Sequence, residues 1–203
     1  FTNKAAKEMK ERVAQQLGRN IEGMWISTFH AMCVRILRGD INYLGYDKNF
    51  AIYDSADQKT LIKECMKELN ISKEMFKPYG LLSQISTCKN EGTDADSAMK
   101  ENFGDYHMRQ AAEAYRLYEK KKRENNALDF DDLLVKTVEL FQLKKDVLTY
   151  YQQKFDYIFV DEYQDTNHIQ YLLVKMLSGN AKNLTVVGDN DQSIYRWRGA
   201  DIG

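Results

Sequence analysis

Two carboxylates stand side by side, Asp161 and Glu162, directly after the apolar run Tyr157, Ile158, Phe159 and Val160. The run is short, β-rich and lacks polar alternation, which predicts a strand buried on both faces. Acids just past the end of such a strand lie at the carboxyl edge of a parallel sheet, where open α/β folds bind ligands. Adjacent negative charges repel unless they share a cation, and a divalent metal holding a nucleotide phosphate suits that arrangement. Gln164, Asp165 and Thr166 continue the stretch. A plainer role for Asp165 or Thr166 is to cap the following helix, and the two roles are compatible. A second buried strand, residues 184–189, ends in Gly188 and Asp189. Gln192 follows, with a side chain able to bond a phosphate oxygen or a water. Then come Tyr195, Arg196, Trp197 and Arg198. Rings interleaved with arginines suit single-stranded nucleic acid, where each stacked base is worth ~1–3 kcal/mol. As isolated residues, Tyr195 and Trp197 would read as core.

The elements that must position these groups follow from periodicity. Residues 4–17 carry an apolar stripe of Ala5, Met9, Val13 and Leu17 at helical spacing, with Thr2 or Asn3 as cap and Gly18 as stop. MWIST, residues 24–28, reads as a short strand, and residues 29–40 as a helix with Met32, Cys33 and Ile36 inward. Thr2 and Thr28 thus fall at strand-to-helix junctions, whose free N–H groups suit phosphates, although either threonine alone more simply caps its helix. A strand is expected at Phe50–Tyr53, ending at Asp54. Residues 55–150 are then almost wholly helical in pattern: 55–70, where Ser55 and Gln58 resemble a capping box, 81–92, 106–126, 128–141 and the start of 144–155. Pro78 marks a break, and residues 93–105 read as a polar loop. The basic tail Lys120–Arg123 suits a helix C-terminus as a solvated face. In residues 128–141, Asp129 is a candidate cap, and Phe130 and Leu133 are candidates to pack this helix on the rest. The α/β pattern returns with the strand to Asp161, a helix over 168–179 and the strand 184–189.

The predicted fold class is therefore α/β: a parallel sheet interrupted by an all-helical insert, with domain boundaries near residues 54 and 140. At 203 residues the chain can bury a sizeable core. With 43% hydrophobic and 29% charged residues its composition is that of an ordinary soluble domain. A net charge of −1 decides nothing about nucleic acid, because a basic groove can sit inside a neutral total. Cys33, Cys65 and Cys88 show no C-x-x-C spacing and read as reduced thiols of a cytoplasmic protein. No run approaches membrane-spanning length, so no membrane partner is expected. The chain opens on Phe1 and closes on Gly203 just after a dense motif, which reads as a segment cut from something longer.

FTNKAAKEM, STFHAMCVRILR, LDFDDLL, VDEYQDTN and VGDNDQSIYRWRGAD occur in this order over the whole chain. Together they resemble the superfamily 1A DNA helicases of the UvrD/Rep/PcrA group. The resemblance implies a RecA-like motor domain, 1A, over residues 1–54 and 141–203, interrupted by a helical domain, 1B, over residues 55–140. It implies ATP and Mg²⁺ as cofactors and single-stranded DNA and ss/ds DNA junctions as partners, with 3′→5′ movement and a setting in repair or replication. Asp161 resembles the acid that holds Mg²⁺, with Glu162 beside it as general base for the attacking water and second carboxylate at the metal. Gln192 resembles the γ-phosphate sensor, and Gln164 and Asp165 complete the nucleotide motif. Phe1, Thr2 and Asn3, then Thr28, Phe29 and His30, then Tyr195, Trp197 and Arg198 match DNA-contacting positions. Tyr163 stands where the family more often has Phe, and the ring is retained.

The sequence has no GxxxxGK(S/T) loop, the element that cradles nucleotide phosphates. In the family this loop precedes FTNKAA, and a second motor domain with an arginine finger follows the last motif. The expectation is that the 203-residue chain hydrolyses no ATP by itself. The competing class is a non-catalytic DNA-binding or regulatory module that keeps the fold, and a further variant is the helicase subunit of a nuclease complex.

Overall fold

The computed structural model describes residues 2–18, 20–72, 74, 76–101, 105–179 and 183–189. Phe1, Gln192, Tyr195, Trp197 and Arg198 lie outside the described residues. The elements are, in order, α1 (Asn3–Leu17), α2 (Phe29–Asp40), a 3₁₀ turn (Ile41–Leu44), β1 (Ala51–Ile52), α3 (Ser55–Glu68), α4 (Pro78–Asn90), α5 (Ala95–Glu101), α6 (Tyr106–Glu124), β2 (Ala127–Leu128), α7 (Phe130–Leu143), α8 (Lys145–Lys154), β3 (Ile158–Val160), a 3₁₀ turn (Tyr163–Asp165), α9 (His168–Ser178) and β4 (Leu184–Val186). Among the described residues the strands form two parallel pairs. β1 pairs with β2 in the register Ala51–Ala127 and Ile52–Leu128. β3 pairs with β4 in the register Ile158–Leu184, Phe159–Thr185 and Val160–Val186. Helices α3 to α6 therefore leave from one strand and return to its neighbour, which is the geometry of an insert. β3, α9 and β4 form a single βαβ unit.

Two apolar cores follow the same division. The first gathers Cys33, Ile36 and Leu37 of α2, Phe50, Leu133, Phe141, Leu148, Tyr151 and the inner face of α9. The second gathers Leu61, Ile62, Cys65 and Met66 of α3, Leu81 and Ile85 of α4, and Ala114, Tyr115 and Tyr118 of α6. α7, though read as part of the helical stretch, has its buried face in the first core.

Several local expectations are corrected. MWIST forms no strand; instead Trp25 packs edge-on to Phe155 at 5.1 Å, under the Arg35 guanidinium at 3.9 Å. Its half-buried side chain packs against the core, while its backbone lacks a strand partner among the described residues. The strand expected at Phe50–Tyr53 contracts to Ala51–Ile52. Part of the loop expected over 93–105 is α5, started by Asp94, whose Oδ1 accepts from Ser97 N at 2.7 Å. The box at α3 is Asp54 with Asp57, not Ser55 with Gln58. α9 is capped by Asn167, boxed with Gln170, rather than by Asp165 or Thr166. The stripe of α1 buries none of its residues, and Met9 and Leu17 are exposed. β3 is not buried on both faces: Val160 is buried but Phe159 is 74% exposed.

Candidate functional site

The carboxylates sit where the strand reading placed them. β3 ends at Val160, and Val187 N donates to Val160 O at 2.8 Å while Tyr163 N donates to Val187 O at 2.9 Å. The ladder thus carries β3 and β4 past their formal ends and fixes the two strand tips beside each other. Between those bonds lie Asp161 and Glu162, both exposed. Glu162 takes φ +56°, in the left-handed region. For a residue with a Cβ that conformation costs ~1–2 kcal/mol, and such strain held beside a strand end is a feature of functional turns. Its effect here is to add one residue to the ladder, so that Tyr163 N rather than Glu162 N reaches Val187 O. Asp161 Oδ1 accepts from Glu162 N at 2.9 Å, and the following 3₁₀ turn opens.

Gln164 is the clasp of this site. It is buried, its Nε2 donates to Glu162 Oε2 at 2.5 Å, and its Oε1 accepts from Asp189 N at 3.0 Å. One amide therefore orients the Glu162 carboxylate and ties it to the tip of β4. The space for it exists because residue 188 is glycine: a Cβ there would lie 2.7 Å from Gln164 Oε1 and 3.2 Å from Gln164 N. Exposed carboxylate oxygens are the donor type that hard divalent cations take, so the chemistry of Asp161 and Glu162 fits Mg²⁺. Asp165 and Thr166 are buried, and Thr166 Oγ1 donates to Tyr163 O at 2.7 Å, closing the turn.

The second group of predicted residues meets on another surface. Thr2 caps α1, with Ala5 N donating to its Oγ1 at 3.1 Å, and Thr28 caps α2, with Ala31 N donating at 3.2 Å. Thr28 Oγ1 also donates to Asn3 Oδ1 at 3.4 Å, so the FTN and STFH segments touch. Phe29 is half-buried against the first core. The His30 ring lies edge-on to Phe130 at 5.7 Å, and Phe130 is 51% exposed. That corrects the packing role expected for Phe130; Leu133 of the same helix is buried as expected. The sequence signal that would have shown the difference is the cap: with Asp129 at the N-terminus of α7, Phe130 occupies the first helical position, ahead of the buried face that begins at Asp132.

A charged cluster that sequence reading missed anchors the insert to α7. Lys122, expected on a solvated face, is 1% exposed. Its Nζ donates to Asp129 Oδ2 at 2.8 Å and pairs with Asp132 at closer range. Lys89, also buried, donates to Asp129 Oδ2 at 2.8 Å and to Asp132 Oδ1 at 2.6 Å. Glu119 Oε1 stands 2.8 Å from each ammonium and completes the cluster. Burial alone would lower the Lys89 pKa, but the surrounding carboxylates outweigh it and hold it well above the usual lysine value. Burial opposes ionisation of Asp129 too, yet the two ammoniums hold its carboxyl below the ordinary range. Asp132 moves the other way, raised by burial and by the neighbouring negative charges. Three carboxylates face two ammoniums, so the fully ionised cluster carries one surplus negative charge. Glu119, Asp129 and Asp132 have oxygens within 4.8 Å of one another, a spacing that a metal could use, but the two lysines already supply the cations.

The described residues thus combine a short parallel βαβ unit, which ends in the exposed Asp161 and Glu162, with a helical insert. The chain belongs to the UvrD/REP helicase family: the UvrD/REP helicase N-terminal domain matches residues 1–203. It is 54% identical over 202 residues to the ATP-dependent DNA helicase PcrA of Bacillus subtilis, covering 100% of the chain and 27% of the relative. The PcrA proteins of Staphylococcus aureus and Staphylococcus epidermidis are 54% and 52% identical, with the chain covering 28% of each. The chain thus spans little more than a quarter of the length of these curated relatives. No helix among the described residues is long and apolar enough to cross a membrane.

Proposed function

We propose that the chain is the nucleotide- and DNA-handling N-terminal portion of an ATP-dependent DNA helicase that moves 3′→5′ on single-stranded DNA and unwinds duplex in repair or replication. The observation that carries this reading is the Asp161–Glu162 turn, held in register with β4 by Gln164. In this reading the two parallel pairs belong to one RecA-like sheet, domain 1A, which also holds α7, and helices α3 to α6 between β1 and β2 form the inserted domain 1B. Asp161 holds Mg²⁺ with Glu162 beside it, and Glu162 is the general base that orients the attacking water. Gln192 senses the γ-phosphate. When bound, the metal neutralises charge on the phosphates; the chain's own contribution is to hold the Glu162 carboxylate in one orientation. Positioning and electrostatics of this kind carry most of the rate in phosphoryl transfer. Phe1, Thr2, Asn3, Thr28, Phe29, His30, Tyr195, Trp197 and Arg198 contact single-stranded DNA, and the exposed ring of Phe130 extends that surface beside His30. Single-strand/duplex junctions are the natural substrate, in the cytoplasm, alongside repair or replication proteins.

The test is strand displacement by the full-length protein on partial duplexes with a 3′ or a 5′ single-stranded tail, in Mg²⁺ and ATP. Displacement from the 3′-tailed substrate is expected. Binding to both without displacement of either would favour a DNA-binding module that keeps the fold without the motor.

A further inference from the structure

The two candidate surfaces are joined by a short polar path that runs from Asn167, at the end of VDEYQDTN, through Asn90 to Asp131 of LDFDDLL. Asn167 follows the carboxylate turn and caps α9 through its Oδ1, which accepts from Gln170 N at 2.9 Å. Its other polar atom points across to the insert: Nδ2 donates to Asn90 Oδ1 at 2.7 Å. Asn90 is the last residue of α4. Its Nδ2 donates to Ser86 O at 2.8 Å, and it lies 3.3 Å from both Ser86 Oγ and Asp131 Oδ1. Asp131 directly follows Phe130, the exposed ring against His30. The neighbouring Lys89 clamps the same end of α4 onto Asp129 and Asp132. Two successive residues of the insert therefore grip the start of α7, and the second also grips the nucleotide-side turn.

We propose that Asn90 is a positioning residue that couples the Asp161–Glu162 turn to the DNA-side start of α7. The inference rests on the function proposed above. The amide suits this role because it serves both sides at once: its oxygen receives Asn167 while its nitrogen serves α4 and α7. A shift of the turn that carries Asn167 is felt at Asp131 through one side chain, and Asn90 is otherwise fixed by its own helix. Physical proximity alone does not make a pathway, so the claim is one of measurable coupling between two groups.

The experiment measures phosphate release by the full-length protein with and without saturating single-stranded DNA. The variants are Asn90→Ala, Asn167→Ser and the pair together. Serine keeps a capping oxygen at position 167 but lacks the reach to Asn90. The quantity read is the ratio of the DNA-stimulated to the DNA-free rate. Each single change should lower this ratio on the order of fivefold or more, the lower end of typical site-to-site coupling. The double variant should be no worse than the stronger single, because both remove the same contact. A ratio within about twofold of wild type in both singles overturns the proposal, as do additive effects in the double. A merely structural role would lower both rates together, leave the ratio unchanged, and so also overturn it. If Asn90→Ala melts below the assay temperature, Asn167→Ser, which keeps the cap, decides by the same ratio. Absence of DNA-stimulated release in the wild type is a different result and refutes the helicase reading itself.

Discussion

Replacing Lys122 by methionine removes one of two buried cations and leaves the apolar stem nearly intact. In the native cluster, Glu119, Asp129 and Asp132 face Lys89 and Lys122, three negative groups against two positive. In Lys122→Met the same three carboxylates face Lys89 alone, in a place where the lysine side chain was 1% exposed. Breaking a buried ion pair by removing one partner costs ~3–5 kcal/mol, because the other charge stays buried. For a chain of this size that corresponds to a melting temperature lower by roughly 6–20 °C. The loss should depend on pH in a definite direction. In the native chain, Asp129 and Glu119 are held below their ordinary values, and the stability they contribute is present above the unfolded carboxylate range and lost as pH falls through their depressed values. With Lys122 gone, burial outweighs the remaining attraction and the cluster takes up a proton more readily folded than unfolded. The variant's deficit should therefore shrink between about pH 7.5 and pH 5. The assay is urea unfolding of the 203-residue chain followed by far-UV circular dichroism at both pH values. Adding Asp132→Asn should restore a large part of the loss at the higher pH, since it removes the surplus negative charge. A deficit under about 1 kcal/mol at pH 7.5, the size expected of an exposed pair, would refute the buried-cluster account.

Gly188→Ala places a Cβ 2.7 Å from Gln164 Oε1, so the clasp on Glu162 must open. Hydrolysis by the full-length protein should fall at least about tenfold, while overpacking costs ~1–3 kcal/mol in stability, read by phosphate release and melting respectively. Phe130→Ala should weaken single-strand binding by ~1–3 kcal/mol, the value of one stacked base, as measured by fluorescence anisotropy of a labelled oligonucleotide. Unchanged affinity would mean that the exposed ring takes no part in DNA binding. The 203-residue chain alone, which has no GxxxxGK(S/T) loop, should release no phosphate from ATP above background, and turnover abolished by Glu162→Gln would contradict this.

Local signals made much of the site legible. The apolar run ending in Asp161 placed the carboxylates at a strand end, and the parallel β3–β4 pair puts them there. Thr28 followed by the Met32–Ile36 spacing gave α2 and its cap, and Gly18 ends α1 in the left-handed region at φ +58°. What failed depends on distant partners. Lys122 looks like one more residue of a basic helix tail until Lys89, Asp129 and Asp132 are brought around it. Asn90 and Asn167 are 77 residues apart, and neither carries a pattern that points to the other. MWIST has strand-like composition, but no neighbouring strand among the described residues completes its hydrogen bonds, and the half-buried Trp25 packs against the core instead. Phe159 sits in the middle of an apolar run yet faces outward, because β-structure alternates sides whatever the composition.

Glu162→Gln in the full-length protein tests the central claim most directly. The substitution keeps size, and keeps an acceptor for the Gln164 Nε2 bond, while removing the negative charge and basicity from the strand-end turn. DNA-stimulated phosphate release should fall by about a hundredfold or more, as for loss of a general base, with single-strand affinity within about threefold of wild type, since the DNA-side residues are separate. Hydrolysis at the wild-type rate would contradict the assignment of Glu162 and, with it, the reading of this turn as the catalytic centre.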